Sequence, residues 1–138
     1  MGVTDAKKLL FIDDDQDFLE AQEAFFGARG FVVLTAGGTD EALRLLESET
    51  PDMIFIDLMM EHFDSGFTLA HRLRREARFQ GTPLVMLSGV AAETGKDFSR
   101  DKEGLRSWSQ LDDFVDKPAS AQRLLKIVER RLAAPGRG

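Results

Sequence analysis

Apolar and polar positions along the chain follow two alternating patterns. Short apolar runs rich in branched and aromatic residues are typical of β-strands, and longer stretches with apolar residues three or four apart are typical of amphipathic helices. Four of the runs are almost continuously apolar, which indicates parallel strands covered on both faces. The five predicted strands lie at residues 9–12, 31–34, 53–56, 84–87 and 114–115.

Helical patterns separate these runs. The alternation of strand and helix predicts an α/β fold with a parallel sheet and right-handed crossovers. Between the fourth and fifth strands the pattern is loose because Gly95 and Gly104 interrupt it, and the helix there is expected to be short or displaced. Elsewhere the helical stripes are Phe18, Ala21, Phe25 and Ala28; Ala42, Leu45, Leu46 and Glu49; Phe67, Ala70, Leu73 and Ala77; and Leu124, Leu125, Val128 and Leu132.

Length and charge limit the class of protein. The chain has 138 residues, no cysteine, and 18 basic against 24 acidic residues, for a net charge of −6. These values predict one compact domain over residues 1–138, exclude cysteine chemistry, and argue against general binding of nucleic acid, whose phosphates require a basic face. The start of the chain lacks the features of a signal peptide, and no apolar stretch approaches the ~20 residues of a membrane span. We therefore expect a cytoplasmic protein whose partners are proteins or small ions, not nucleic acid or membrane.

Polar residues follow the predicted strands at their carboxyl ends, where an open parallel sheet binds its ligands. Three aspartates follow the first strand, one follows the third, and a hydroxyl and an ammonium group follow the fourth and fifth. Carboxylates about 4 Å apart repel each other by roughly 4 kcal/mol near a protein surface, so a divalent cation would stabilise the cluster. Oxygen ligands with open positions suit Mg²⁺, and the arrangement predicts phosphoryl chemistry. The residues are Asp13, Asp14, Asp15, Asp57, Ser88, Gly89, Lys117 and Pro118.

Four motifs in this order resemble the response-regulator receiver domain of two-component signalling, over about residues 7–133. The resemblance implies a flavodoxin-like, doubly wound sheet of five parallel strands in the order 2-1-3-4-5 with five flanking helices. The chain is expected to be a single receiver domain with no output domain, either a stand-alone regulator or a domain excised from a larger protein. The resemblance implies that it is not an enzyme, because it catalyses only its own phosphorylation and dephosphorylation. The motifs are Phe11-Ile12-Asp13-Asp14-Asp15, Phe55-Ile56-Asp57-Leu58-Met59-Met60, Met86-Leu87-Ser88-Gly89 and Phe114-Val115-Asp116-Lys117-Pro118.

The resemblance assigns the phosphoacceptor and the metal ligands. Asp57 would accept a phosphoryl group from a phosphohistidine on a histidine kinase or a histidine phosphotransfer protein. The cofactor would be Mg²⁺ or Mn²⁺. Its ligands would be Asp57, Asp14, Asp13 (directly or through water) and the backbone carbonyl of Met59. In-line transfer mainly requires positioning and charge neutralisation, which one cation and one lysine can supply.

The resemblance also assigns the residues that bind the phosphoryl group and respond to it. Lys117 would pair with its oxygens, Ser88 and Gly89 would also bind it, and Pro118 would follow a cis peptide bond. Ser88 and Phe114 would switch and change the face made by the fourth helix, fifth strand and fifth helix, although Phe114 also fits an ordinary core residue. A downstream protein would bind that face, and a phosphorylation-dependent homodimer is a further candidate.

The sequence departs from the family pattern around this site. The glycine after the acceptor, Gly66, comes nine residues after Asp57 where eight is usual. The segment 88–117 is longer than usual, which indicates an unusual partner or dimer contact. Met59 and Val90 occupy the two positions that tune dephosphorylation, and both are apolar and unable to orient an attacking water. We therefore expect a long-lived phosphoryl group.

Other functions are compatible with parts of this pattern. A haloacid-dehalogenase-like phosphohydrolase also uses Mg²⁺ and an aspartyl phosphate, but it would leave Asp57 without a role and would need a cap segment. A scaffolding receiver that is never phosphorylated would not need the complete polar set. A flavodoxin-like flavin binder would not place aspartates where the flavin phosphate binds.

The remaining ionisable side chains carry no recognisable motif. The arginines of the third helix are predicted to form a solvated basic face, and both histidines are predicted to lie at the surface without a metal. These residues are Arg72, Arg74, Arg75, Arg78, His62 and His71.

Overall fold

A computed structural model describes residues 6–58, 60, 65–88 and 111–132. From the first to the fourth strand, strands and helices alternate as the hydrophobic pattern predicts, with a short 3-10 helix before the fourth strand, and a helix also follows the fifth strand. The elements are β1 (Lys8–Ile12), α1 (Gln16–Gly27), β2 (Val32–Ala36), α2 (Thr39–Leu45), β3 (Met53–Asp57), α3 (Ser65–Arg74), the 3-10 helix (Ala77–Phe79), β4 (Leu84–Ser88), β5 (Asp113–Asp116) and α4 (Ala121–Leu132).

The five strands form one parallel sheet in the order β2-β1-β3-β4-β5. This confirms the predicted strand order and the doubly wound α/β class. Four α-helices flank the sheet within the described residues, and the helix predicted as the fifth is α4. The predicted fourth helix falls in 89–110, outside the described residues.

Successive residues of each strand face opposite sides of the sheet and build two hydrophobic cores. In β1, Leu9 and Phe11 pack on one side with residues of α1 and α4, whereas Leu10 and Ile12 pack on the other side with residues of α2 and α3. All four side chains are fully buried. The burial of both faces explains why the strand sequences are continuously apolar.

The predicted apolar stripe of α1 is wrong by one position. The sequence pattern placed four residues on the core face: Phe18, Ala21, Phe25 and Ala28. The buried residues of α1 are Leu19, Gln22 and Phe26. Phe26 packs against Phe11 with ring centroids 5.5 Å apart, and Phe18 and Phe25 are half-buried beside this contact. Because Phe25 and Phe26 are adjacent, helical spacing fits either one. The stripe that is actually buried contains the polar Gln22 and is therefore hard to recognise in the sequence.

The prediction of a solvated arginine face on α3 is wrong for Arg74, which is 9% exposed. Its Nη1 donates to the backbone oxygens of Phe79 and Thr82 at 2.6 and 2.7 Å. Its Nη2 donates to Asp112 Oδ2 at 2.7 Å. These carbonyls lie in the turn before β4, so the guanidinium ties the end of α3 to that turn and, through Asp112, to the segment before β5. The other three arginines of the predicted face are exposed: Arg72, Arg75 and Arg78.

Two arginines of α4 extend this cluster. Arg131 Nε donates to Asp113 Oδ2 at 2.8 Å, and its Nη2 donates to the Asp112 backbone oxygen at 2.7 Å. Arg130 Nη2 donates to Asp113 Oδ1 at 2.8 Å. The contact with Asp113, the largest influence, outweighs burial and raises the pKa of Arg131. We call this set (Arg74, Asp112, Asp113, Arg130 and Arg131) the basal charge network, because it lies at the amino ends of β4 and β5.

Candidate functional site

The sheet brings the predicted polar residues to the carboxyl ends of its central strands. Asp57 is the last residue of β3 and Ser88 the last of β4, while Asp13 follows β1 directly. Backbone hydrogen bonds fix the residues beyond the strands. The Asp13 amide donates to the Ala36 oxygen at 3.0 Å, and the Lys117 amide donates to the Ser88 oxygen at 2.7 Å. The strand register therefore fixes the backbone positions from which these side chains extend.

Three carboxylates meet at this edge. Asp13, Asp14 and Asp57 each offer an oxygen, and these oxygens lie within 4.8 Å of one another. Asp13 is fully buried, Asp57 is 6% exposed, and Asp14 is exposed. Asp13 Oδ1 also accepts a hydrogen bond from the Asp15 amide at 2.9 Å, which orients its carboxylate. A set of hard oxygen donors that is open to solvent on one side fits Mg²⁺ or Mn²⁺.

Lys117 supplies a positive charge to the same cluster. Its Nζ lies 2.7 Å from Asp13 Oδ2 and 3.8 Å from Asp57 Oδ1. Burial, the largest single influence, disfavours the charged form of Lys117. The hydrogen bond and charge of Asp13, with the charges of Asp57 and Asp15, together outweigh it and raise the pKa of Lys117. The side chain is therefore an ammonium ion throughout the physiological pH range.

Gly66 allows the first turn of α3 to pack directly against the backbone of Asp57. Its amide donates to the Leu58 oxygen at 2.7 Å. A Cβ at this position would overlap the Asp57 carbonyl oxygen and lie 2.7 Å from the Leu58 Cα. The sequence pattern identified Gly66 through its spacing from the acceptor, but the backbone contact that requires a glycine is visible only in the fold.

The residues predicted to respond to a phosphoryl group occupy β4 and β5. Ser88 is 3% exposed at the end of β4. Phe114 is half-buried, faces the α2/α3 side and lies 6.1 Å from Phe67 between ring centroids. The peptide bond between Lys117 and Pro118 is cis, as the resemblance implied. Ser88 and Lys117 therefore lie at the same edge as Asp57, and Phe114 packs against the core on the α2/α3 side of the sheet.

Several predicted positions fall outside the described residues. These are Met59, Gly89, Val90 and His62. The second histidine, His71, is half-buried on α3 beside the exposed Arg72 and Arg75.

The chain belongs to the response regulator receiver domain family, because the family's sequence model matches residues 9–129. Among curated proteins it is similar to the alkaline phosphatase synthesis transcriptional regulatory protein PhoP of Bacillus subtilis (strain 168). The two are 33% identical over 135 residues, which cover 94% of this chain and 52% of PhoP. The chain spans about half the length of this relative, and 46% of a probable transcriptional regulator ycf27 of Guillardia theta.

Solved structures agree with this assignment. The Francisella response regulator 1452 receiver domain is 29% identical, with a TM-score of 0.77, over 92% of this chain and 97% of that one. The chemotaxis response regulator CheY4 of Vibrio cholerae shares the fold at 24% identity and a TM-score of 0.78, over 91% of this chain and 98% of CheY4. The chain is thus a two-component response regulator receiver, and these similarities do not favour the phosphohydrolase alternative. None of the described helices is long and apolar enough to cross a membrane.

Proposed function

We propose that this receiver accepts a phosphoryl group on Asp57. The observation that carries the proposal is the geometry around its carboxylate. Asp57 shares a cluster with two further carboxylates, and its Oδ1 lies 3.8 Å from the Lys117 ammonium. The side chain is 6% exposed, so it is sheltered while one edge of the cluster stays open to a donor.

The three carboxylates fit a divalent cation. Asp13, Asp14 and Asp57 would hold Mg²⁺ or Mn²⁺, and the Met59 backbone carbonyl would complete the protein ligands. When bound, the ion neutralises charge on phosphoryl oxygens during transfer. One lysine offsets only part of the charge of three carboxylates, so a bound cation would stabilise the cluster before the transfer takes place.

The chain's own residues then perform the transfer. An Asp57 carboxylate oxygen attacks phosphorus, the new O–P bond forms as the P–N bond of the donor phosphohistidine breaks, and the electron pair of that bond stays on the imidazole nitrogen. Lys117 is positioned to pair with the phosphoryl oxygens, because its Nζ is close to Asp57 and its pKa is raised. Asp13 anchors Lys117 on the other side.

Neighbouring residues would then respond to the negative charge that Asp57 gains. We expect Ser88, with Gly89, to hydrogen-bond the phosphoryl group and Phe114 to change its packing, as a local charge change that biases a two-state element. Phe114 is half-buried and packs beside Phe67, with ring centroids 6.1 Å apart, so a change in its packing would reach the core on the α2/α3 side. The face that contains β5 and α4 would be the one a downstream protein binds.

The partners follow from this chemistry. The donor would be a histidine kinase or a histidine phosphotransfer protein, and the reader would be a downstream protein or a second phosphorylated copy of the chain. The protein would act in the cytoplasm and would not be an enzyme toward other substrates, since the reaction modifies its own Asp57.

Intact-mass spectrometry after incubation with acetyl phosphate tests the proposal. Wild type should gain one phosphoryl group in the presence of Mg²⁺ and none with a chelator, and Asp57→Asn should gain none. Asp113→Asn is the matched control, because it removes a carboxylate from the basal charge network and should leave the adduct unchanged. A wild type without an adduct would contradict the proposal. Steady donor hydrolysis that survives Asp57→Asn but not Asp13→Asn would favour the phosphohydrolase.

The lifetime of the adduct should be long, because Met59 and Val90 carry no group that can orient a hydrolytic water. Replacing both with polar residues, Met59→Asn and Val90→Glu, should accelerate loss of the phosphoryl group by about tenfold. This is less than the roughly hundredfold or more of general base catalysis, because these side chains would only orient the water. The measurement is the decay of the adduct mass after donor removal at constant Mg²⁺. Equal decay in wild type and double mutant would show that these positions do not control the lifetime.

A further inference from the structure

Phe18 contacts the site from α1 and belongs to none of the roles assigned above. The Lys117 Nζ lies over its ring, 5.0 Å from the ring centroid. Phe18 is in the first turn of the helix that begins just after the aspartates, and its amide donates to Asp15 Oδ1 at 3.2 Å. The N-terminal cap of α1 therefore places an aromatic face against the ammonium.

The ring is itself held by the aromatic core. Phe18 packs edge-on against Phe11, with centroids 6.4 Å apart and an interplanar angle of 70°. Phe11 is fully buried and stacks on Phe55 at 4.5 Å and 6°. Phe11 and Phe55 lie on β1 and β3, the strands that lead to Asp13 and Asp57. The ring is thus fixed relative to the carboxylates that Lys117 contacts.

Three side chains of the described part of the chain contact the ammonium, and they attract it in different ways. Asp13 and Asp57 attract it by charge, at 2.7 and 3.8 Å, whereas Phe18 attracts it through the negative face of the ring. A lysine head group on a flexible four-carbon stem is otherwise free to turn toward water, and the side chain of Lys117 is 23% exposed. Any group that neutralises part of the carboxylate charge weakens the ion pairs between the carboxylates and Lys117. The attraction between the Phe18 ring and the ammonium does not depend on that charge.

We propose that Phe18 is a positioning residue for phosphoryl transfer, whose ring holds the Lys117 ammonium beside Asp13 and Asp57 where it meets the incoming phosphoryl group. This inference rests on the proposed function. Leucine at position 18 would keep most of the apolar contact with Phe11 but would lack the aromatic face. Tyrosine would keep both.

The test compares Phe18→Leu and Phe18→Tyr with a control on the same helix. Phe25 is also half-buried, and the Arg29 guanidinium lies 3.6 Å from its ring centroid, so Phe25→Leu removes an equivalent contact away from the site. The measurement is the maximal rate of adduct formation from acetyl phosphate at saturating Mg²⁺. Phe18→Leu should be about fivefold slower, and Phe18→Tyr and Phe25→Leu within about twofold of wild type, given the usual strength of a partly desolvated cation–aromatic contact.

A second readout follows the ammonium without any phosphoryl group. In protein labelled with ¹³C-lysine, the ε-methylene signal of Lys117, assigned with Lys117→Arg, should carry a ring-current shift in wild type. Phe18→Leu should abolish that shift, and Phe25→Leu should preserve it. The thermal unfolding midpoint of each variant shows whether a loss of packing explains a change in rate.

The outcomes separate the two proposals. An adduct on wild type with an equal rate in Phe18→Leu, or a ring-current shift that survives Phe18→Leu, overturns the role of Phe18 and leaves the proposed function standing. Equal slowing in Phe18→Leu, Phe18→Tyr and Phe25→Leu, with lowered unfolding midpoints, also overturns it in favour of packing. Absence of an adduct on wild type overturns the proposed function, and the role of Phe18 falls with it.

Discussion

Among the described residues, three guanidinium groups meet two carboxylates at the amino ends of β4 and β5, whereas three carboxylates meet one ammonium at the carboxyl ends of β1 and β3. In the basal charge network, guanidinium groups donate to carboxylate and backbone oxygens at 2.6 to 2.8 Å. In the other cluster, the Lys117 ammonium contacts two of the three carboxylates, those of Asp13 and Asp57. In the first arrangement every carboxylate contacts at least one guanidinium group of the chain itself, whereas the second holds an excess of carboxylates that a divalent cation would offset under our proposal.

This difference shows how two charge clusters in one fold can have opposite effects on stability. Removing one partner of a buried ion pair is costly, because the other partner loses the contact that offsets its burial, and in the basal charge network the side chain of Arg74 is only 7% exposed. Like charges held together raise the free energy of the folded state, and removing one lowers it. We therefore expect removal of Arg74 from the basal charge network and removal of the exposed Asp14 from the acidic cluster to change the free energy of unfolding in opposite directions.

The largest effect should come from Arg74→Met. The substitution removes the buried guanidinium that donates to Asp112 Oδ2 and to the backbone oxygens of Phe79 and Thr82, and we expect a loss of about 3 kcal/mol in the free energy of unfolding. Urea denaturation measures it. Arg72→Met is the control on the exposed side of the same helix and should change the free energy by no more than about 0.5 kcal/mol. Equal effects of the two substitutions would refute the structural role of the basal charge network.

The next effect is stabilisation by Mg²⁺. A cation that binds the folded state alone stabilises it by about 2.7 kcal/mol at a hundredfold excess over its dissociation constant. Wild type and Asp113→Asn should both show this gain in urea denaturation, and Asp57→Asn should lose most of it. A wild type that Mg²⁺ fails to stabilise would mean that the acidic cluster does not bind the cation.

A smaller effect of opposite sign is expected for Asp14→Asn in the presence of a chelator. Removing one of three clustered carboxylates should raise the free energy of unfolding by about 1 kcal/mol, since part of the repulsion is screened at this exposed position. Asp17→Asn is the matched control: this exposed aspartate lies in the first turn of α1, and its loss should destabilise slightly. If Asp14→Asn destabilises the metal-free protein, the repulsion assigned to the cluster is wrong.

The smallest effect concerns alkaline pH. The pKa of Lys117 is raised in the folded state, so its charge contributes stability that is complete below its unfolded pKa, about 10.4, and is lost as pH rises through the folded value. The difference in unfolding free energy between wild type and Lys117→Met should therefore shrink above about pH 10.4. The arginines of the basal charge network stay charged in this range and provide the internal reference. A difference that is constant with pH would contradict the ion pair with Asp13.

The sequence predicted most of what depends on repeating patterns. Continuous apolar runs located the strands, and polar residues after them located the site edge, because parallel strands present their carboxyl ends together. The predicted buried stripe of α1 is one residue too early, since helical spacing is compatible with burial of either Phe25 or Phe26. Only the packing of the helix on the sheet determines which of the two is buried. Gln22 adds to the ambiguity, because it is 4% exposed and its Oε1 has no hydrogen-bond partner among the described residues.

The hydrophobic pattern could not predict contacts between segments that are far apart in the sequence. Arg74 looks like its exposed neighbours in sequence, and its burial depends on the turn at Phe79 to Thr82 and on Asp112, which lies 38 positions away. The approach of Phe18 to Lys117 likewise joins the first helix to the last strand end. The roles of these side chains depend on which residues the fold places beside them.

The most direct test of the central claim is to locate the phosphoryl group. After incubation with acetyl phosphate and Mg²⁺, borohydride reduction of the acyl phosphate followed by tandem mass spectrometry marks the carboxylate that carried it. We predict a mark at Asp57 alone, and only when Mg²⁺ was present. A mark at Asp13 or Asp14, or in the basal charge network at Asp112 or Asp113, would contradict the account.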